Sequence, residues 1–331
     1  MSILKNPNEL KKTLTVSGLI YGQPGIGKST LALSAPNPVV IDADKGMKRV
    51  EPRFRVPSLP LDSYKDLLAL LETNELDGFQ TIVFDTAGKL LERMGDYVME
   101  TNPKNRQGDG SLSQKGWGAV KSEFQKLVRT VQGKNKNIIF IAHEREEKDG
   151  EAKKLRPDIS GSSGKDIVKE LDFMGYYEKR GSKRVISFNP DETFYAKNSL
   201  KLPQYLEVAD TDSNPNDFIT KHIIERTAAR AAEEDVENQK YAELSTSLAG
   251  IVDKVKDVKS ANEALAYILG AEPIWDSHRI AKAKLMEKTK SLGIEYNKEK
   301  SCFAKKPNGK AEEPAVVVAE TAEQPQTQQV A

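Results

Sequence analysis

Runs of apolar residues, each long enough for one buried strand, recur along the first half of the chain. These runs lie at residues 14–21, 39–44, 81–85 and 137–143. Between and around them, apolar residues recur at helical spacing at residues 28–34, 63–74, 90–101 and 117–132. Strand and helix patterns that alternate in this way predict an α/β fold with a mainly parallel central sheet.

The pattern changes in the second half of the chain. Shorter strand patterns joined by tight turns predict an antiparallel extension of the sheet, at residues 173–177, 184–188 and 193–196. Helical patterns follow at residues 217–240, 242–256, 260–269 and 276–292. We therefore predict a flexible arm (1–12), an α/β core (13–213), a helical C-terminal region (214–298) and a tail (299–331) whose lysine-, proline-, alanine- and glutamine-rich composition is typical of disorder.

A phosphate-binding pattern, G-x-x-x-x-G-K-[ST], follows the first predicted strand at residues 22–29. Its glycines let backbone N–H groups turn toward phosphate oxygens, while Lys28 reaches the outer phosphates and the Ser29 hydroxyl suits Mg²⁺. The strand before it and the helix after it are the context that this motif requires. We predict a nucleotide site formed by Gly22, Gln23, Pro24, Gly25, Ile26, Gly27, Lys28, Ser29 and Thr30.

Polar residues also close the three later strand patterns of the core. Asp42 and Asp44 end the second, Asp85 the third and His143 the fourth. Because ligands of open parallel sheets lie beyond the carboxyl ends of the strands, these side chains are expected around the phosphate loop. Asp85 is suited to hold Mg²⁺ opposite Ser29. A turn or helix-cap role for Asp44 and a structural role for His143 are the alternatives.

Composition limits the partners and the location. The 50 Lys and Arg residues balance 49 Asp and Glu residues, so any DNA site has to be local. The single cysteine, Cys302, leaves no intramolecular disulfide and no multi-cysteine metal site. The chain shows no signal-peptide pattern and no apolar run of membrane length, so we expect a soluble cytoplasmic protein without a membrane partner.

Two polar segments are candidates for contact with DNA. Residues 102–117 are rich in glycine, and residues 144–164 are first highly charged and then rich in glycine and serine. Backbone N–H groups of such loops can contact phosphates without sequence preference, and basic side chains add charge. Five basic and five acidic residues offset one another over residues 144–156, so a solvated surface is the alternative.

These motifs, in this order, resemble the RecA-like P-loop NTPase core. Within that class the chain is similar to bacteriophage ATP-binding proteins that act as RecA-like single-strand annealing recombinases. Their Ala-His-Glu, Arg-Pro-Asp-[Ile/Leu]-Ser-Gly and Lys-x-x-x-x-Leu-Pro pieces look like residues 142–144, 156–161 and 197–203. The resemblance covers about residues 14–203 and implies an α/β, RecA-like P-loop NTPase fold, with a mainly parallel central sheet and an antiparallel extension.

The resemblance also implies cofactors, roles and partners. It implies ATP and Mg²⁺, with Asp44 orienting the attacking water and His143 sensing the γ-phosphate. Single-stranded DNA is the implied substrate, a single-strand binding protein is a further candidate partner, and the host cytoplasm is the setting if the protein is of phage origin. Asp44 stands where RecA has glutamate and His143 where it has glutamine, which bears on the turnover rate rather than on nucleotide binding.

Assembly into a filament or ring is implied as well. In such assemblies a basic residue of a neighbouring subunit completes the site, and Lys197 is the candidate, with Arg184 or Lys201 as substitutes. Ser199 occupies the position where a second basic residue would be expected. Three other classes compete with a recombinase: an AAA+-type helicase loader or DNA motor ATPase, a small-molecule P-loop kinase, and a nucleotide-dependent scaffold without turnover.

Overall fold

The computed structural model describes residues 15–149, 152–159, 168–212 and 214–305. The chain divides into two compact units, Met1–Glu234 and Asp235–Ala331. The predicted arm at residues 1–12 and the serine- and glycine-rich segment at residues 160–164 lie outside the described residues. No helix among the described residues is both long enough and apolar enough to cross a bilayer.

One mixed sheet forms the centre of the first unit. In the described part of the chain its strands are β1 Ser17–Gly22, β2 Pro38–Asp42, β3 Ser58–Pro60, β4 Thr81–Asp85, β5 Asn137–Asp149, β6 Ala152–Pro157, β7 Phe173–Arg180, β8 Lys183–Ser187, β9 Lys197–Asn198 and β10 Tyr205–Val208. The main strand order is β10-β8-β7-β1-β5-β4-β2-β3, with β6 paired to β5 and β9 paired to β7.

The six strands from β7 to β3 in this order run parallel, and β6, β8, β9 and β10 pair antiparallel. The predicted fold class, a mainly parallel α/β sheet with an antiparallel extension and a C-terminal helical region, is confirmed. The register places Gly22 opposite His143 and Asp42 opposite Asp85. The carboxyl ends of β1, β2 and β4 therefore meet at one edge of the sheet, where β5 also passes.

Helices cover both faces of this sheet, which explains the continuous apolar runs in the sequence. In the first unit they are α1 Lys28–Ala32, α2 Tyr64–Glu72, α3 Ala87–Thr101 and α4 Gln114–Gly133. Neighbouring residues of one strand face opposite sides: Phe140 packs with α3 and α4, whereas Ile139 and Ile141 pack with α1. With both faces buried, the central strands position their terminal residues rigidly.

The first compact unit extends to Glu234, beyond the predicted core boundary at residue 213. Phe218, Ile219 and Ile223 belong to the hydrophobic cluster that covers α1. The amide of Ile219 donates to Ser34 Oγ at 2.8 Å, and Thr220 Oγ1 donates to the Ser34 carbonyl at 2.7 Å. Apolar burial and these two hydrogen bonds attach the segment to the sheet unit.

The charged segment predicted as a loop from residue 144 is a β-hairpin instead. Strand β5 continues to Asp149 and pairs with β6, with Arg145 opposite Arg156. Ion pairs cross the hairpin, from Lys153 to Glu146 at 2.7 Å and from Arg156 to Glu147 at 2.9 Å. Cross-strand charge pairs replace the apolar alternation by which strands are recognised in a sequence. The predicted strand at residues 193–196 is reduced to a single bridge between Leu155 and Phe194.

Among the described residues, the second unit consists of helices and a small hairpin. Helix α5, Arg226–Asp253, begins in the first unit after a π-helical turn, Thr220–Glu225, and its later part belongs to the second unit, where α6 Val258–Gly270 and α7 Ser277–Ser291 follow. The break predicted near residue 241 is absent, because α5 is continuous there. The hairpin pairs β11 Ile294–Asn297 with β12 Cys302–Lys305. Phe303 is buried in the core of this unit, so the prediction of disorder was wrong for residues 302–305. Residues 306–331 lie outside the described part.

Candidate functional site

The phosphate loop joins β1 to α1, and its backbone requires glycine at three positions. Gly25 and Gly27 have φ angles of 79° and 100°, a region that side chains rarely adopt. At Gly22 a Cβ atom would lie 2.0 Å from the Tyr177 carbonyl oxygen of the neighbouring strand. The loop therefore takes the tight path that brings its N–H groups together.

Lys28 is buried at the mouth of this loop. Its Nζ donates to the carbonyl oxygens of Gly22 at 2.9 Å and Gln23 at 2.7 Å. Burial lowers the pKa of Lys28 from 10.5 to about 8, and the carboxylates of Asp85 and Glu144 act in the opposite direction. A phosphate group at the loop would stabilise the charged ammonium, so ligand binding and protonation of Lys28 favour each other.

Ser29 and Asp85 lie in contact at the same edge. The Ser29 hydroxyl donates to Asp85 Oδ2 at 2.6 Å. Burial raises the pKa of Asp85, the hydrogen bond from Ser29 lowers it, and the nearby Asp42 and Asp44 raise it further. A hydroxyl and a carboxylate are the hard oxygen ligands that Mg²⁺ prefers, and Mg²⁺ commonly takes its other ligands from water and phosphate. The two residues therefore fit the predicted metal role.

The two aspartates that end the second strand pattern have different surroundings. Asp42 is buried and accepts hydrogen bonds from the amides of Gly46 at 2.7 Å and Met47 at 3.0 Å, which fix the turn after β2. The Asp44 amide donates to the Asp85 carbonyl at 3.0 Å, so its backbone lies at the site. Its carboxylate forms an ion pair with Arg49 at 2.6 Å. The Asp44 backbone is thus close to Asp85, one of the two residues predicted to bind Mg²⁺, while its carboxylate is neutralised by Arg49.

His143 lies opposite Gly22 in the parallel register, at the point where β5 leaves the buried part of the sheet. Its carbonyl accepts the amide of Asp158 at 2.7 Å, which fixes the backbone. Its Nδ1 atom is buried and has no hydrogen-bond partner among the described residues. A buried imidazole nitrogen without a partner costs free energy, so a ligand group at this position would be stabilised.

The structure does not bring Lys197 to this edge of its own chain. Lys197 pairs with Met174, which is level with Leu19 in the early part of β1. Its Nζ donates to the carbonyls of Val168 at 3.1 Å and Lys169 at 3.0 Å. Its predicted role in a neighbouring subunit's site stays a prediction. Arg184, predicted as a substitute for Lys197, instead lies beside the phosphate loop of its own chain, with a guanidinium nitrogen 3.9 Å from a Cβ built at Gly27.

A family model described as an AAA domain matches residues 15–200, more than half of the chain. The chain belongs to this AAA family. The matched segment contains the phosphate loop, Asp44, Asp85, His143 and Lys197, so the predicted site residues all lie within the AAA domain. The chain therefore carries a P-loop ATPase-type domain.

Among known proteins, the AAA chain is 24% identical over 296 residues to the SPbeta prophage-derived uncharacterized protein YorG of Bacillus subtilis (strain 168), covering 85% of this chain and 79% of YorG. Two solved structures are similar to 52% of the chain. The KaiC-like protein PH0186 of Pyrococcus horikoshii OT3 has a TM-score of 0.31 and 10% identity, over 77% of its chain. The flagellar accessory protein FlaH of Methanocaldococcus jannaschii has a TM-score of 0.30 and 12% identity, over 76% of its chain.

One further carboxylate of the AAA domain was missed in the sequence. Glu144 follows His143 on β5, and its charge acts on both Lys28 and Tyr21. Its Oε2 atom is buried and has no hydrogen-bond partner among the described residues. From the sequence, Glu144 was assigned to the start of a charged loop. Its position directly after His143, at the end of a predicted strand, could have identified it as a site residue. Glu144 is a second candidate, besides Asp44, for the carboxylate that orients the attacking water.

Proposed function

We propose that the chain is an ATP-hydrolysing protein that binds single-stranded DNA and promotes strand annealing or recombination. The observation that supports this most strongly is the path of β5. One continuous strand contains His143, opposite the first glycine of the phosphate loop, and then becomes the first strand of a charged hairpin. A change at the nucleotide therefore has a direct structural route to a surface that carries several basic residues.

In the nucleotide half of this proposal, residues 22–30 hold the triphosphate of ATP. Lys28 contacts the outer phosphates, while Ser29 and Asp85 would hold Mg²⁺, which when bound neutralises charge on the phosphates. Asp44, or Glu144, orients the attacking water as a general base. The Nδ1 atom of His143, which has no hydrogen-bond partner among the described residues, would carry a proton, donate a hydrogen bond to a γ-phosphate oxygen and thereby sense the γ-phosphate.

In the DNA half, the hairpin supplies charge and an aromatic ring. The Lys154 ammonium lies 4.4 Å, and the Arg156 guanidinium carbon 3.7 Å, from the centre of the Tyr195 ring. Single-strand binding surfaces commonly combine positive charge with aromatic rings, because these contact the backbone and the bases without sequence preference. The glycine-rich segment at residues 102–117 is proposed as a second contact. The prophage origin of YorG is consistent with a phage setting, and hence a host cytoplasm, for this chain.

Assembly completes the proposal. A filament or ring would let Lys197 of one subunit act at the nucleotide of the next, and a single-strand binding protein is a candidate partner during strand exchange. Lys197 is half-buried and held by two carbonyls within its own chain. Insertion into a neighbouring site would require those two contacts to be exchanged.

The test measures binding of a labelled oligothymidylate with no nucleotide, with ADP and with a non-hydrolysed ATP analogue, each over a range of salt. We expect binding that needs the ATP analogue and weakens steeply with salt, because basic side chains displace counterions. Lys153→Ala should lower, by about one, the slope of the logarithm of the binding constant against the logarithm of the salt concentration. Lys65→Ala is the matched control, since each lysine forms one surface ion pair with a glutamate, at 2.7 Å and 2.8 Å. Binding that is insensitive to salt and to nucleotide would contradict the proposal.

The ion pair between Asp44 and Arg49 favours a second candidate, a nucleotide-dependent scaffold without turnover, because it occupies the proposed water-activating carboxylate. A scaffold would bind ATP and assemble but show no hydrolysis with or without DNA. Membership of the AAA family also keeps open a helicase loader or DNA motor ATPase. Stimulation by duplex DNA or by a helicase, rather than by single strands, would favour that class.

A further inference from the structure

A cavity of about 220 Å³ lies beside the phosphate loop, and its lining does not include Ser29 or Asp85. Its lining includes Gly27, Thr30, Tyr177, Arg184, Phe218 and His222. One wall is therefore the end of the phosphate loop and the first turn of α1. The opposite wall is formed by residues 208, 209, 211, 214–218, 221 and 222, which follow the segment matched by the AAA family model.

The position of the cavity follows the direction in which a bound nucleotide must extend. In a phosphate loop the lysine and the metal-binding hydroxyl contact the outer phosphates. Here Lys28, Ser29 and Asp85 mark that end of the site. The inner phosphate and the nucleoside must leave on the other side, past Gly27 and Thr30, where the cavity begins.

The walls of the cavity offer the chemistry that a nucleobase requires. His222 is exposed, and its ring lies 4.8 Å from the ring of buried Phe218, so the histidine is supported from behind by an aromatic side chain. Arg184 is exposed beside Gly27 and contacts Tyr177. A planar ring available for stacking and a cation next to the inner phosphate position fit a nucleoside rather than a purely apolar ligand.

The second wall is attached to the phosphate-loop helix, and to Ser34 just beyond its end, by four hydrogen bonds. Asn216 Nδ2 donates to the Thr30 carbonyl at 3.0 Å, the Ile219 amide donates to Ser34 Oγ, and the hydroxyl and amide of Thr220 both donate to the Ser34 carbonyl. Lys221 and His222 lie on the π-helical turn, Thr220–Glu225. Such turns are rare and often occur at functional sites, because they project neighbouring side chains in unusual directions. The geometry of the wall is thus coupled directly to the loop that binds phosphate.

We propose that this cavity is the nucleobase subsite of the P-loop, with the base stacked on His222 and the Arg184 guanidinium placed toward the inner phosphate and ribose. The inference rests on the proposed function only in requiring that residues 22–30 bind a nucleoside triphosphate. It makes residues 208–211 and 214–222 a part of the nucleotide site, although the AAA domain match ends before them.

The test compares the affinity of the full chain for ATP with its affinity for inorganic tripolyphosphate, both with Mg²⁺, by titration calorimetry. The wild type should bind ATP more tightly, because tripolyphosphate has no base to stack. His222→Ala should weaken ATP binding about tenfold and leave tripolyphosphate binding unchanged. His222→Phe should restore most of the ATP affinity, since it retains an aromatic ring. Glu225→Ala, on the same turn but outside the cavity lining, is the control and should change neither affinity.

Equal losses for ATP and tripolyphosphate in His222→Ala, or no loss for either, would overturn the base subsite. A wild type that binds both ligands equally would do the same. A separate outcome addresses the proposed function: if Lys28→Ala leaves tripolyphosphate binding unchanged, the loop itself does not bind phosphate. The two failures are therefore distinguishable.

Discussion

The two halves of β5 are continuous in the chain and stabilised by different forces. Residues 138–142 are buried on both faces, with Phe140 stacked on Phe84 at 4.8 Å between ring centres. From residue 144 onward the same strand carries mainly charged side chains, paired across the hairpin at the surface. The first half fixes the position of His143. The second half is held by its backbone pairing with β6 and by surface ion pairs, which are weak in water and screened by salt, so exchanging these ion pairs for other charges would cost little free energy.

The largest effect is expected for the ATP hydrolysis rate, at the phosphate loop beside the buried half of β5. Lys28→Ala should lower the ATP hydrolysis rate at least about 100-fold, because it removes the cation that contacts the outer phosphates. Its circular dichroism spectrum should match that of the wild type, since the Lys28 ammonium donates to two main-chain carbonyls at the start of the phosphate loop rather than packing in the apolar core. Lys65→Ala, on α2, is the control. Wild-type turnover in Lys28→Ala would remove Lys28 from the mechanism.

A second prediction separates the two candidate carboxylates. Asp44→Asn should keep ATP binding and lose most hydrolysis, by about 100-fold or more, if Asp44 orients the water. Glu144→Gln should then retain substantial turnover. The measurement is steady-state hydrolysis beside calorimetric ATP affinity for both variants. The reverse pattern would assign the water to Glu144, whose Oε2 atom has no hydrogen-bond partner among the described residues, and would leave Asp44 as the partner of Arg49.

Stability should also differ between the two halves of β5. Phe140→Ala should cost about 3–5 kcal/mol of unfolding free energy, because it opens a cavity beside Phe84 and Phe124. Lys153→Ala should leave the denaturation midpoint unchanged within error, because its ion pair is exposed. Chemical denaturation of both variants checks the contrast. Equal destabilisation would mean that the hairpin contributes to the core.

A smaller effect concerns pH. Because the pKa of Lys28 is lowered to about 8, the folded chain binds fewer protons than the unfolded chain between about pH 8 and 10.5. The destabilising contribution of buried Lys28 is therefore full below pH 8 and is relieved as pH rises through that window. ATP affinity should show the opposite trend and fall above pH 8, since the neutral amine no longer attracts phosphate. Lys28→Arg, which stays charged, should show no such fall in titrations between about pH 7 and 10.

The sequence predicted the rigid half of this contrast well, for physical reasons. The phosphate loop has fixed residue types because only glycine fits at Gly22, Gly25 and Gly27. Fully buried strands are visible as continuous apolar runs, and parallel pairing then brings Asp85 and His143 to one edge. The ion pair of Asp44 with Arg49 depends on the turn after β2, which no local pattern specifies.

The charged hairpin and two segments outside the central strands were harder to predict. The hairpin of β5 and β6 has no apolar alternation, since its strands are matched by charge. The segment containing Phe218 and Ile219 was assigned to the helical region, because its contact with Ser34 spans 185 residues of sequence. Phe303 lies in a lysine-rich stretch that resembled a disordered tail, and only its packing in the second unit gives it a fixed position.

We propose that β5 couples ATP hydrolysis at the phosphate loop to DNA binding at the hairpin, through His143. The most direct measurement is the ATP hydrolysis rate of the wild type and of His143→Ala, each with and without single-stranded DNA, with His278→Ala as a control. We expect stimulation by DNA in the wild type and in the control. His143→Ala should still bind ATP and DNA separately but show no stimulation. Stimulation of His143→Ala to the wild-type extent would contradict the coupling.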